Sequence, residues 1–251
     1  FVHGTDTAIG TETGGVNTGV AGSFLDEVGL VELNQTTNNN WDDAGDIAVT
    51  FTTPTGTFNK ANFEARLQYD LTGTASADTI TTGALADTID GGNGGDTLNG
   101  GAGADSITLG TGADTVVINS VVGTSEGSGR VAVTGNDNDT GDDTITGFNL
   151  TSDILKISAT AVAGFVHGTD TTIGTESGGV NTGVAGSFLD EVGLVELDSA
   201  TTDDNWDDDG DIAVTFASPT GTFNEANFEA RLQYDLTGTG AGNTITGGDL
   251  A

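Results

Sequence analysis

The 251-residue chain carries 38 acidic and 5 basic residues, a formal net charge of −33, and no cysteine. Such acidity argues against nucleic acid as a partner, because phosphate binding needs clustered Lys or Arg, and leaves cations or a high-salt medium. Disulfides and thiolate metal sites are excluded, and no window approaches the roughly 18 consecutive apolar residues of a membrane span.

Only ten of the 38 acids are Glu, and short Asp carboxylates suit tight turns and hard-cation ligation better than helix faces. With 41 Gly and 2 Pro there is no collagen-like pattern, and the abundance of Thr, Val and Ile points to β structure. In chain order, residues 28–33 form a first strand candidate. Ile47, Val49 and Phe51 then alternate before Pro54, Thr55 and Gly56, a strand leading into a turn. Residues 63–71 alternate apolar and polar, which predicts a half-exposed strand. Phe63, Leu67 and Leu71 also suit a helix, but alternation accounts for more positions. Residues 1–72 thus read as a small all-β module, with His3 a packing or surface residue and Trp41 read as packing rather than sugar-binding.

From Gly73 the period shortens. Asp78, Asp87, Asp96, Asp105 and Asp114 follow one another at intervals of nine, and two residues after each stands an aliphatic: Ile80, Ile89, Leu98, Ile107 and Val116. Glycines permit the positive φ values and close backbone approach of a tight turn. The short apolar segment supplies a strand with its aliphatic inward. With two nonapeptides to a turn, the arrangement that the family resemblance given below implies, residues 18 apart stack about 4.8 Å apart. Asp78, Asp96 and Asp114 then line one edge, and Asp87 and Asp105 the other. Two such carboxylates about 5 Å apart repel by roughly 3 kcal/mol at an effective dielectric near 20. Residues 73–117 hold six Asp and no Lys or Arg, so no side-chain cation offsets the repulsion.

These nonapeptides resemble the RTX, or hemolysin-type, calcium-binding repeat G-G-x-G-x-D-x-U-x. Residues 91–99 and 100–108 match it at every position, while Thr82, Leu85 and Leu109 replace glycines in the flanking copies. The resemblance implies a right-handed parallel β-roll with Ca²⁺ held between loops. Its ligands would be the five Asp residues and loop carbonyls such as those of Gly92, Gly94, Gly101 and Gly103. Ca²⁺ takes six to eight oxygens of both kinds, whereas Mg²⁺ prefers a stricter octahedron and more water. Folding is then expected to be coupled to metal binding.

After an insertion at about 119–137, Asp143, Thr144, Ile145 and Thr146 resume the pattern, and Asp153 to Ile157 resembles the capping strand of RTX rolls. The roll is therefore read as residues 73–164, with Asp143 as a further ligand.

Residues 1–33 then recur at 165–197 with only Ala8/Thr172 and Thr13/Ser177 changed, and after one inserted residue the match continues to Ala86/Ala251. This makes 165–237 a second small β module and 238–251 the start of another roll, with Asn243 in place of Asp78 and hence a weaker ligand. The fold class is all-β: β-rolls alternating with small β modules in a tandem array, although a single internal duplication is also open. Residues 205–211 partly fit a D-x-D-x-D-G calcium loop, but Phe216 stands where a final Glu is needed, and a solvated acidic turn is the other reading. Trp206 is read as packing rather than sugar-binding, and His167 as a packing or surface residue.

Residues 123–127 satisfy G-x-S-x-G, but they lie in a Gly/Ser-rich insertion without a strand-turn-helix context. No other catalytic motif is present, so no enzyme activity is expected. The expected function is structural: an extracellular, Ca²⁺-stabilised filament or surface-layer unit that self-assembles with further copies. Type I secretion from a bacterium is implied by the resemblance. Alternatives are the stalk of an RTX adhesin, the secretion and folding module of an enzyme or toxin, or a halophilic protein whose acidity serves solvation.

Overall fold

The computed structural model describes residues 1–10, 12–13, 16–17, 26–33, 47–52, 57–121, 143–162, 164–174, 176–177, 180–181, 190–197, 211–240, 244–248 and 250. The first module contains β1 (Thr7–Gly10), β2 (Glu12–Thr13), β3 (Val16–Asn17), β4 (Asp26–Val31), β5 (Ile47–Thr52) and helix α1 (Lys60–Glu64). Then come β6 (Asp70–Thr72), β7 (Thr79–Thr81), β8 (Thr88–Asp90), β9 (Thr97–Asn99), β10 (Ser106–Thr108), β11 (Thr115–Val121), β12 (Thr144–Thr146) and β13 (Ile154–Val162). From residue 164 on follow β14 (Gly164–Val166), β15 (Thr171–Gly174), β16 (Glu176–Ser177), β17 (Val180–Asn181), β18 (Asp190–Glu196), β19 (Asp211–Ala217), α2 (Glu225–Glu229), β20 (Leu232–Gly238) and β21 (Thr244–Thr246).

The nonapeptide period becomes a parallel β-roll. Strands β7, β9 and β11 lie in one sheet, and β6, β8, β10 and β12 in another. Ile80 stands opposite Leu98, and Leu98 opposite Val116. Across the roll, Leu71, Ile89 and Ile107 are in register. These aliphatics point inward because a three-residue strand has only one central position for its single buried side chain. Ile89, Leu98, Ile107 and Val116 are fully buried, in one apolar cluster.

The insertion leaves this register intact. Ile145 of β12 pairs opposite Ile107 of β10, so the spacing of 18 widens while the stack continues. Strand β13 then lies parallel to β11 from Thr115↔Ile154 to Val121↔Thr160. Its pairing with β20 shifts between Thr160 and Val162, where Ala161 has φ +61°. This bulge redirects the chain, and β14 pairs parallel with β21.

The strands read at 28–33 and at Ile47, Val49 and Phe51 are present as β4 and β5, paired antiparallel. The strand read over 63–71 is corrected. Its first part is α1, because Asn59 caps the helix by accepting from the Asn62 amide at 2.8 Å, and Phe63 of this turn is buried. Gly29 leaves room for that ring: a Cβ there would lie 2.2 Å from Phe63. Only Asp70–Thr72 of the expected strand is extended in the first copy, against Leu232–Gly238 in the second. The second module packs directly onto the roll, since β19 pairs with β12 and β20 with β13.

Candidate metal centre

The stacking brings the expected carboxylates into two ladders. On one edge the Asp78 amide donates to Asp96 Oδ1 at 2.9 Å, the Asp96 amide to Asp114 Oδ1 at 2.9 Å, and the Asp114 amide to Asp153 Oδ1 at 3.1 Å. On the other edge, Tyr69 donates to Asp87 Oδ1 at 2.7 Å, Asp87 to Asp105 at 2.7 Å, and Asp105 to Asp143 at 2.8 Å. Each Oδ1 therefore fixes the rung before it. Asp87, Asp96, Asp105, Asp114 and Asp143 are buried, whereas Asp78, on the first rung of its ladder, is half-buried.

The second carboxylate oxygen separates the loops into two kinds. Asp78 Oδ2 accepts from the amide and hydroxyl of Thr74, at 2.5 and 2.9 Å. Asp87 Oδ2 accepts from the Gly83 amide at 3.0 Å, and Asp153 Oδ2 from the Asn149 amide at 2.7 Å. In the two repeats that keep every glycine, the corresponding amides turn elsewhere: Gly92 donates to Asp90 Oδ1 at 3.1 Å and Gly101 to Asn99 Oδ1 at 2.9 Å. Asp96, 1% exposed, is left with an Oδ2 that has no hydrogen-bond partner. An orphaned carboxylate oxygen in a buried site costs stability unless a cation or a proton meets it.

Asp90 and Asn99 were not singled out from the sequence, although a legible signal exists. An Asx residue two positions before a left-handed glycine forms an Asx-turn. Thr72 and Thr81 occupy the same place before the self-capped loops.

The glycines make the cradle. Gly92 and Gly94 have φ of +88° and +131°, and a Cβ on Gly94 would lie 2.6 Å from the backbone of Ser76 in the loop one turn before. Gly101 and Gly103 repeat this geometry on the opposite edge, at +85° and +119°. Neighbouring loops thus stack backbone against backbone, the Thr111 amide donating to the Gly92 carbonyl at 2.9 Å, and a Cβ on Gly91 would meet both the Leu109 carbonyl and Asp96 Oδ2, at 2.6 and 2.8 Å. Among the described residues no three His, Cys, Asp or Glu side chains converge as a metal cluster. The donor set is instead carboxylate and carbonyl oxygen, the hard mixture Ca²⁺ takes, and it fits that ion.

Electrostatics agree. Burial pushes the Asp87 carboxyl above its ordinary range, against hydrogen bonds from Tyr69 and Gly83 that lower it. Asp114 is raised by burial and further by the neighbouring charges of Asp153 and Asp96. The rise at Asp87 is one of burial alone, whereas at Asp114 the neighbouring carboxylates add to it, as expected where like charges stack.

The family model described as RTX calcium-binding nonapeptide repeat (4 copies) matches residues 70–97 and 81–116. These residues are RTX calcium-binding repeats. A solved structure, the AlgE6R3 subunit of the Azotobacter vinelandii mannuronan C5-epimerase, is 24% identical over 66% of this chain and 75% of that one, with a TM-score of 0.37. No curated protein matches the chain.

Outside the RTX roll, His3 Nδ1 lies 2.8 Å from the Tyr69 hydroxyl, and His167 Nδ1 2.9 Å from that of Tyr234. Burial raises both phenols above their ordinary value, which keeps them protonated, and each part-buried histidine sits against its tyrosine. Asn243, residues 123–127, Trp41, Trp206 and the acidic loop up to 210 lie outside the described residues. No helix among the described residues is long and apolar enough to cross a membrane.

Proposed function

We propose that this chain is part of an extracellular tandem-repeat structural protein whose RTX rolls are locked by Ca²⁺, a building unit of a filament or surface layer. The observation that carries the metal part is the buried, unpartnered Oδ2 of Asp96 beside a glycine cradle. Asp96 and Asp105 are the principal carboxylate ligands, with carbonyls of Gly92, Gly94, Gly101 and Gly103 completing the oxygen shell. Asp114 and Asp143 extend the two ladders beyond them. Asp78 and Asp87, whose second oxygens take loop amides, serve mainly to fix the stack and contribute less affinity.

The structural role is supported by how the repeats join. Near-identical units stacked end to end lengthen a rod in which each unit needs only its neighbours. High negative charge keeps such a polymer soluble and makes it responsive to divalent ions. The chain's secretion and its lattice or filament form belong to this same reading.

The test is a calcium titration of the chelated protein followed by far-UV circular dichroism, with electron microscopy of the same samples. A gain of β signal with calcium, and fibres or sheets that dissolve on chelation, supports the reading. Unchanged β content after chelation removes the metal part, and calcium-dependent folding without any assembly removes the structural part.

A further inference from the structure

Residues 1–86 and 165–251 are near-copies, yet the fold gives them different surroundings. In the second copy, Leu197, Ile212, Val214 and Phe216 are 0%, 2%, 0% and 0% exposed, in one cluster with Ile145, Phe148 and Leu150 of the roll end. Their first-copy equivalents Leu33, Ile47, Val49 and Phe51 are 42%, 46%, 44% and 36% exposed. The side chains are identical. Only the second set has a roll end packed against it.

The strand edges tell the same story. Strand β19 pairs with β18 on one side and with β12 on the other, from Thr144↔Thr215 to Thr146↔Ala217. Its equivalent β5 pairs with β4 and ends the described sheet. For the next strand the two copies show opposite halves of one arrangement. Leu155 donates to the Arg231 carbonyl, whereas in the first copy Thr88 donates to the Tyr69 carbonyl and Gly73 to that of Asp90. Tyr69 corresponds to Tyr234, three residues beyond Arg231, and backbone groups an odd number of residues apart address opposite edges of a strand. The same strand can therefore pair with a preceding roll and a following roll at once.

We propose that Leu33, Ile47, Val49 and Phe51, with the outer edges of β5 and β6, form a docking surface for the closing end of a preceding roll of the sequence of residues 143–162. Consecutive repeats then share a strand, and one β-ladder runs through the joint. The second copy identifies the occupant. There the Phe148 ring packs tilted against Phe216 with centroids 4.8 Å apart, Arg231 Nη1 donates to the Thr151 carbonyl at 3.2 Å, and Lys156 Nζ lies 3.9 Å from Asp235. Arg66 and Asp70, which stand at the equivalent places, are exposed. A cleft of about 350 Å³ opens at this end, lined by Phe1, Leu33, Asp70, Leu71, Thr72 and Ile80. The inference goes beyond the metal reading and does not depend on it, because it stands on apolar burial and strand pairing alone.

The chain has no cysteine, so a single introduced thiol reports the joint. Val49→Cys and Val214→Cys are each made in the 251-residue chain and in the same chain preceded by an added copy of residues 73–164, all in saturating calcium. Thiol labelling of Val49→Cys is expected to be fast in the first chain and at least about a hundredfold slower in the extended one, matching Val214→Cys, which is slow in both. Equal labelling of Val49→Cys in the two chains overturns the proposal. Slow labelling in the 251-residue chain that speeds up on dilution also overturns it, by assigning the face to a second copy. Because a cysteine can disturb its own strand, amide exchange of Asp70 in the unsubstituted chains is the second readout. It slows on extension if the edge is covered, and an unchanged rate contradicts the joint.

Discussion

The amide of Asp78 donates to Oδ1 of Asp96, 2.9 Å away and one full turn of the roll later. That bond gives one carboxylate oxygen a structural duty and leaves the other to face the loop. Whether the loop amide then reaches back to this second oxygen distinguishes Asp96 from Asp78 and Asp87.

Substitutions at Asp96 and Asp87 therefore have different consequences. Asp96→Asn keeps an acceptor for the Asp78 amide and removes the charge beside the cradle. Calcium affinity measured by calorimetry is expected to fall about ten- to a hundredfold, equivalent to roughly 1.4–2.7 kcal/mol. Asp87→Ala strips acceptors from the Tyr69 and Gly83 amides, and costs about 1–3 kcal/mol in denaturant unfolding even in chelator. A larger affinity loss at Asp87 than at Asp96 would reverse this assignment.

Asp90→Thr tests the Asx-turn directly. Without the Asp90 carboxylate, the Gly92 amide is expected to turn to Asp96 Oδ2, as the Thr74 amide does to Asp78. Calcium affinity of that loop drops while the stability of the metal-free chain rises, so calorimetry and chelated unfolding move in opposite directions. Movement of both in the same direction contradicts the switch.

How far this was legible before the fold is a matter of range. The nine-residue Asp spacing and the inward aliphatics predicted the stacking of Ile80 on Leu98 and Val116, because both follow from strand alternation and an 18-residue turn. The second partner of each carboxylate is not written in the nine-residue Asp spacing; its signal lies in the residue two places before the loop glycine, Asp90 or Asn99 against Thr72 or Thr81, which the spacing alone passes over. Phe63 and Glu64, which end the helical turn of residues 60–64, looked extended because Phe63 and the residues after it alternate. The Asn59 cap and the space above Gly29 decide instead for a helical turn. The joint was invisible for another reason: Phe148 and Phe216 are brought together by sheet pairing across a long stretch of chain, and no local pattern records such a contact.

Loop packing predicts a steep cost at Gly94. Gly94→Ala places a Cβ 2.6 Å from the Ser76 backbone at a φ of +131°. Unfolding in calcium is expected to lose about 2–4 kcal/mol, the range of strained-backbone and overpacking substitutions. A change below about 0.5 kcal/mol would mean that the loops are not stacked as described.

The two copies also differ in what a ring is worth. Phe216→Ala removes a fully buried ring between Phe148 and Phe228, at an expected cost of about 3–5 kcal/mol. Phe51→Ala, at the exposed equivalent, is expected to cost about 1 kcal/mol. Chemical denaturation of the two variants distinguishes them, and equal losses would contradict the difference in burial.

Acidity should act in opposite senses with and without metal. Folding raises the carboxyls of Asp87 and Asp114 above the ordinary value of 3.8, so the folded state favours their neutral forms. For these two groups stability is present below that ordinary value and is lost as pH rises through the raised one. The chelated chain is thus expected to be more ordered in mild acid than at neutral pH by circular dichroism. With calcium the order reverses, because the ion binds only ionised carboxylates. The same pH trend in both conditions would contradict the coupling.

Most direct of all is an anomalous-difference map of crystals grown in calcium. Density is expected between neighbouring loops, beside Asp96 Oδ2 and within coordination reach of the Gly92 and Gly94 region. Well-ordered loops with no anomalous peak at Asp96, in crystals containing millimolar calcium, would contradict the metal-locked roll.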